Sequence, residues 1–371
     1  MLSDYMGVLN LNENEDNIKS LTHSRPLASI PIAGRYRIID FVMSNMVNAG
    51  LRNIGIFNQS KSRSLADHLG SGKPWDLDRK IGGLFLFNFG VTGYYVSDLE
   101  LFRNNIEYFY QSKQTGVILS SSYMICNIDY EDAVRSHEES GKDITVIYKK
   151  IDNGKKGFIN CDVLNIDENN TVISVGQNIG VDDKSNISME MFIMKKEILL
   201  QLIYSCIKKG YCRTLKDAIY RNIEGFSINA YEFKGYLECV NSIHTYYRAN
   251  MDILDVKVNK ELFYNNGLIY TKVKDEAPTK YSIKSKVSNS LIANGCIIEG
   301  TVENSIIARR VNIHKGAKVK DCIIMQGCDI KENSRLVNCI IDKNIIIEQN
   351  KELKGDKEFP LVIEKKPLFN L

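Results

Sequence analysis

The residues closest to chemistry stand at the end of the first apolar run. Met6-Gly7-Val8-Leu9 reads as a strand, and it leads into Asn10-Leu11-Asn12-Glu13-Asn14-Glu15-Asp16-Asn17. In a doubly wound domain, a loop at this point cradles phosphates when it is rich in glycine, because backbone N–H groups then approach the oxygens closely. Here no glycine occurs between Gly7 and Gly34, and Glu13, Glu15 and Asp16 set three carboxylates where an anion would sit. At about 5 Å and an effective dielectric of about 20, each carboxylate–phosphate pair costs roughly 3 kcal/mol. The loop is therefore either an ordinary solvated turn or a phosphate site that has been lost.

The elements that must position this loop follow from hydrophobic periodicity. Apolar runs at 6–9, 53–57, 116–119, 144–149, 191–194 and 229–232 predict strands. Mixed stretches at 39–49, 62–69, 98–110, 130–140, 196–208, 214–221 and 242–254 predict helices. This alternation predicts an α/β domain with a mostly parallel, Rossmann-like sheet over residues 1–255. A polar link with Pro278 near its end follows over 256–280, and from Tyr281 the period changes. Apolar positions then recur about every six residues, as in Ile306/Ile307, Val311/Ile313, Ala317/Val319 and Ile323/Ile324, with Asn, Gly, Asp and Lys between them. A hexapeptide repeat of this kind predicts a parallel β-helix over 281–371, whose flat faces serve oligomer contacts. His314 is the only histidine of this region, and no partner acid is evident near it in the sequence; it reads as a surface residue.

Composition narrows the function classes. At 371 residues the chain is long enough for two domains with separate cores, and its 44% hydrophobic and 25% charged residues are ordinary for a globular protein. A net charge of +3 gives no nucleic-acid footprint. No apolar run is long enough for a membrane span, and Met1-Leu2-Ser3-Asp4-Tyr5 lacks the basic start of a secretory signal. The nine cysteines contain no CxxC pair, so they read as buried thiols of a reducing cytoplasm, not as a disulfide or zinc framework.

Four segments carry a resemblance. Gly34-Arg35-Tyr36-Arg37-Ile38-Ile39-Asp40-Phe41, the run from Gly70 to Arg79 with Trp75 and Asp78, Phe233-Lys234-Gly235-Tyr236, and Ala249-Asn250-Met251-Asp252-Ile253-Leu254 closely resemble the glucose-1-phosphate adenylyltransferase (ADP-glucose pyrophosphorylase) family. The resemblance covers nearly the whole chain. It implies a GT-A-like nucleotidyltransferase domain followed by a left-handed β-helix, and an enzyme that uses Mg²⁺ to make ADP-glucose from ATP and glucose 1-phosphate.

The departures from the family pattern fall on that chemistry. The family's Gly-Gly-x-Gly-x-Arg triphosphate loop corresponds to Asn12, Glu13, Glu15 and Asn17, and the next family lysine to Leu27. Ser122 stands at the aspartate that holds Mg²⁺ in the family, and Cys239 at the second carboxylate. A hydroxyl and a thiol thus replace the hard anionic oxygens that Mg²⁺ prefers. In the sugar pocket, a family lysine falls at Gln177, and a glycine becomes Glu190.

The resemblance therefore points to the degenerate second subunit that accompanies the active enzyme in some bacteria. It implies a cytoplasmic regulatory partner of the catalytic subunit in glycogen synthesis, in a hetero- or homotetramer, with no metal or cofactor of its own. Arg35 matches a family lysine that contacts a phosphorylated sugar effector. The loop with Gln59, Lys61 and Arg63 matches one that relays its binding, and Arg309-Arg310 add charge on a coil edge. Two other readings stay open: an active nucleotidyltransferase with an altered metal site, and a free-standing homo-oligomer that senses a sugar phosphate.

Overall fold

The computed structural model describes residues 2–59, 61–88, 97–210, 212 and 214–365, apart from the side chain of Lys209. Contacts divide the chain into two compact units, neither of them continuous in sequence. The first comprises Met1–Glu13, Phe41–Glu238 and Phe263–Tyr270; the second comprises Asn14–Asp40, Cys239–Leu262 and Thr271–Leu371. These boundaries do not follow the linear division at 255 and 280.

The first unit is built on a nine-stranded sheet. Tyr5–Leu11 is central, parallel to Asn53–Asn58 on one side and to Gly116–Ser120 on the other. Gly83–Asn88 extends the sheet in parallel beyond Asn53–Asn58. On the far side Ser185–Lys195 runs antiparallel to Gly116–Ser120 and to Ile144–Ile151, which pairs in parallel with Ile228–Glu232. The core side chains Met6, Val8, Phe57, Phe102, Phe109, Val117 and Phe192 are buried together. Close approach dictates glycine at position 55, since a Cβ there would lie 2.7 Å from the Tyr108 ring.

Several elements differ from the sequence reading. The helix expected over 98–110 is two helices, Asp98–Asn104 and Ile106–Gln111. Asn105 breaks it, because its side-chain amide donates to the Leu101 carbonyl at 2.8 Å and competes with the helical bond. The sheet is mixed, and Ser185–Lys195 is far longer than the expected 191–194. Gly83–Asn88 and the hairpin Asp162–Ile166/Val172–Gln177 were not among the expected strands. In the hairpin, Asn165 and Ser174 interrupt the apolar run, whereas the Leu84–Phe87 run of the other strand is apolar throughout and was passed over. The stretch after 255 is not a plain polar link: it holds the helix Val256–Lys260, and Leu262, Phe263 and Ile269 are buried.

The second unit contains the β-helix. Three five-stranded parallel sheets form it, with one strand from each sheet in every coil. The inward positions of successive coils stack: Ile298 on Ile313 on Ile330, Val302 on Val319 on Leu336, and Ile307 on Ile324 on Ile341. The polar residues between apolar pairs are the corners. One corner column is Asn289, Asn304, Asp321 and Asn338, all at positive φ, where Asn and Asp are tolerated best after Gly. The outward residues of the third sheet, Ile306, Ile323 and Ile340, are also buried. They are covered from within the unit by the 14–40 segment and the helix Ile243–Asp252. Gly34 adopts φ +75°, and a Cβ there would sit 3.2 Å from the Ile307 carbonyl oxygen. Tyr247 Oη donates to the Asp321 carbonyl at 2.8 Å.

Candidate functional site

In the first unit the loop after the central strand turns back on the sheet. Glu13 Oε1 accepts from the Ser122 amide at 2.6 Å and from Ser122 Oγ at 2.7 Å. Ser122 itself is fully buried, two residues beyond the strand Gly116–Ser120. Burial pushes the Glu13 carboxyl up to about 7, helped by the charge of Glu190 and opposed by the two Ser122 hydrogen bonds. Glu190 sits at φ +52° and accepts from Tyr123 Oη at 2.6 Å and from Lys216 Nζ at 2.7 Å. Lys216 also reaches Asp162 at 3.0 Å. Burial alone would lower the lysine, but the two carboxylates hold it above its ordinary range. Glu190, which the resemblance set in a sugar pocket, thus belongs to a side-chain ion network. Gln177 is outside that network; it is exposed on the edge hairpin and donates to the Asn160 carbonyl.

The three loop carboxylates do not converge on one empty anion site, as the sequence suggested. In the second unit, Glu15 accepts from the Leu27 amide at 2.8 Å, and Leu27 is buried. Asp16 is exposed and pairs with Lys19 at 2.7 Å. Asn12 is partly buried and Asn17 exposed. Glu15 and Asp16 thus take a backbone or lysine donor of their own segment, whereas Glu13 reaches Ser122, 109 positions away.

The second unit also gathers cations. Arg25 and Asp342 form a 2.6 Å ion pair, each side chain 5% exposed. Lys343 lies beside Arg25, Arg37 and Lys274, and burial with these charges pushes its ammonium down to about 7, against the pull of Asp342. Lys274 is lowered by burial and by Arg309, Arg37, Arg310 and Lys272. Arg309 is buried and is lowered first by that burial and then by Arg35. Arg35 is exposed and lies over the Tyr36 ring at 5.4 Å. Arg310 approaches Glu276 at 3.4 Å. Such a concentration of positive charge makes the local potential positive and attracts anions. Sequence reasoning reached Arg35, Arg309 and Arg310 but missed Arg25, Arg37, Lys274 and Lys343, whose neighbours are hundreds of positions away.

Comparison with known proteins decides the family. Residues 17–209 match the profile described as nucleotidyl transferase, and residues 276–359 match "GlmU-like, C-terminal hexapeptide". The glycogen biosynthesis protein GlgD of Geobacillus stearothermophilus is 39% identical over 98% of this chain and 97% of its own length. GlgD of Bacillus subtilis is 37% identical over 85% and 82%. The glucose-1-phosphate adenylyltransferase of Mycoplasma mobile is 30% identical over 82% and 81%. The chain belongs to the glucose-1-phosphate adenylyltransferase family.

Within that family the Mg²⁺ ligands do not fit here. Ser122 Oγ is committed to Glu13, and Cys239, in the other unit, offers a fully buried soft thiol. Among the described residues no group of three or more His, Cys, Asp or Glu is placed to hold a metal ion. No step of the family reaction is therefore derived through this site.

Trp75 is buried with its ring 5.8 Å from that of His68, and Asp78 is exposed and accepts from Ser71 Oγ. Gln59, Lys61 and Arg63 lie in the first unit, with Lys61 at φ +51° and Arg63 exposed; Ser60 lies outside the described residues. His314 needs correction: it has partner acids. Its Nε2 is 2.6 Å from Asp329 and its Nδ1 3.5 Å from Glu332. The acids belong to the next coil, Asp329 being 15 positions along the chain, so they lie outside any local window of sequence. Among the described residues none of the nine cysteines forms a disulfide, and no helix is long and apolar enough to cross a membrane.

Proposed function

We propose that the chain is a non-catalytic or weakly active regulatory subunit of glucose-1-phosphate adenylyltransferase. It assembles with a catalytic subunit, in a heterotetramer, and raises or tunes ADP-glucose synthesis in glycogen biosynthesis. The names of the GlgD relatives and the family membership support the pathway. One contact carries the loss of catalysis: the carboxylate of Glu13 fills the hydrogen-bonding capacity of Ser122 where the family keeps a metal-binding aspartate. Nucleotidyl transfer places a highly charged phosphate in line for attack and needs cations around it. An acidic loop and an inward Glu190 act against that placement.

The cation cluster of the second unit supports an effector role, with Arg35 and Arg309 toward a phosphorylated sugar and Lys61 and Arg63 as relay. Allostery of this kind requires an effector to favour one state of the assembly over another.

The test is ADP-glucose formation by this chain alone, by the catalytic subunit alone, and by the two co-expressed. The expected result is no turnover alone and a higher kcat or lower KM in the mixture. Turnover by this chain alone, above a mock-purified control, would sink the reading in favour of an altered active site. Failure of the two chains to co-purify would favour the free-standing sensor.

A further inference from the structure

One inward column of the third β-helix sheet changes chemistry part-way along the coils. It holds Ser290, Ser305, Cys322 and Cys339, each one residue before the register partners Leu291, Ile306, Ile323 and Ile340. All four side chains donate to the carbonyl two residues back. Ser290 reaches Ser288 and Ser305 reaches Glu303 at 2.7 Å; Cys322 reaches Lys320 at 3.0 Å and Cys339 reaches Val337 at 3.2 Å. Across coils, Ser290 Oγ accepts the Ser305 amide at 3.1 Å and Ser305 Oγ accepts the Cys322 amide at 3.0 Å. A hydroxyl therefore serves the fold at this position, even fully buried at Ser305. What the two thiols add is redox chemistry. Their acceptors Lys320 and Val337 are themselves register partners, so the two sulfurs are related by a step of one coil. Adjacent strands lie about 4.8 Å apart, inside the roughly 4.4–6.8 Å of Cα separation that a disulfide spans. The hydrogen bond with Cys322 holds the Cys339 thiol below its ordinary range, while burial and the same bond push Cys322 up. Cys339 is thus the nucleophile of the pair.

We propose that Cys322 and Cys339 are an oxidisable dithiol, which a peroxide closes into a disulfide staple between two successive coils. The Cys339 thiolate attacks one peroxide oxygen and the O–O bond breaks. The hydroxide that leaves takes the proton Cys339 had released, giving water and a Cys339 sulfenic acid. The Cys322 sulfur then attacks that sulfur, the S–S bond forms, and the S–OH group leaves as water with the Cys322 proton. Two thiols have given two electrons to one peroxide, and two waters are the other product. Both sulfurs are fully buried, so the oxidant reaches them through local opening of the coils. The place of the staple gives it an effect. Asp321 and Asn338 immediately precede the two cysteines, and the Tyr247 hydroxyl donates to the Asp321 carbonyl at 2.8 Å and to Asn338 Oδ1 at 3.3 Å. Closure ties together the two coils on which the helix Ile243–Asp252 is seated. The inference stands apart from the reading of the cation cluster.

The experiment treats the fully reduced chain with hydrogen peroxide under native conditions, blocks the remaining thiols, and digests the protein without reductant. Mass spectrometry is expected to find peptides cross-linked between Cys322 and Cys339, and dithiothreitol to separate them. The thermal midpoint of the oxidised chain is expected to rise by several degrees, because closing a one-coil loop restricts the unfolded state. Cys322→Ser places in the column the hydroxyl that Ser305 already carries there, so it is expected to fold as the parent does. It should form no cross-link, stop at a Cys339 sulfenic acid that dimedone traps, and show no rise in midpoint. Absence of the 322–339 cross-link from the parent overturns the proposal, whatever the other cysteines do. A cross-link without a rise in midpoint, or an equal rise in Cys322→Ser, overturns the staple.

Discussion

Glu13 Oε1 lies 2.6 Å from the Ser122 amide nitrogen and 2.7 Å from Ser122 Oγ, joining residues 109 positions apart. One carboxylate oxygen thus ties the acidic loop to the end of the strand Gly116–Ser120.

The raised Glu13 carboxyl makes stability depend on pH. Its folded value of about 7 lies above the ordinary 4.5, with burial as the main cause. A group raised on folding contributes stability that is fully present below the unfolded value and is lost as pH rises through the folded one. Denaturant unfolding between pH 5 and 8 is expected to show this loss, roughly 1–3 kcal/mol. Glu13→Gln keeps an oxygen acceptor for Ser122 and is expected to flatten the profile. An unchanged slope in that variant would show that Glu13 titrates normally.

Restoring the family's aspartate alone is expected to fail. Ser122→Asp places a second carboxylate against Glu13, and at about 4 Å with an effective dielectric of about 20 the repulsion is about 4 kcal/mol. A clear drop in thermal midpoint is expected, and Glu13→Gly in the same chain should recover most of it. If Ser122→Asp alone were as stable as the parent, the Glu13 contact would not be what holds the loop.

The Arg25–Asp342 pair offers a test in the second unit. Both side chains are 5% exposed, so removing one partner leaves a buried charge. Arg25→Met is expected to cost about 3–5 kcal/mol. Pairing it with Asp342→Leu should return much of that loss, because the uncompensated carboxylate is then gone. Additive losses in the double variant would mean that the two residues do not interact.

The sequence by itself determined the elements whose reasons are local. The β-helix was legible because each coil repeats the same demand: an apolar pair inward, then Asn, Asp or Gly at a corner that needs positive φ, as at Asn304, Asp321 and Gly327. The central strand was legible from its apolar run, and the departures at Asn12, Glu13, Ser122 and Cys239 were legible only against the pattern of the family that the chain resembles. Tertiary structure decided what those residues do. Glu13 and Glu15 are neighbours in sequence, yet one caps Ser122 and the other holds the Leu27 amide. Gly83–Asn88 found its place in the sheet only on folding, as the parallel neighbour of Asn53–Asn58. The cation cluster needed folding most of all. Arg25 and Lys343 carry no local pattern, and the like charges are held together by burial and by stacking of the coils beneath them, which no window of sequence contains.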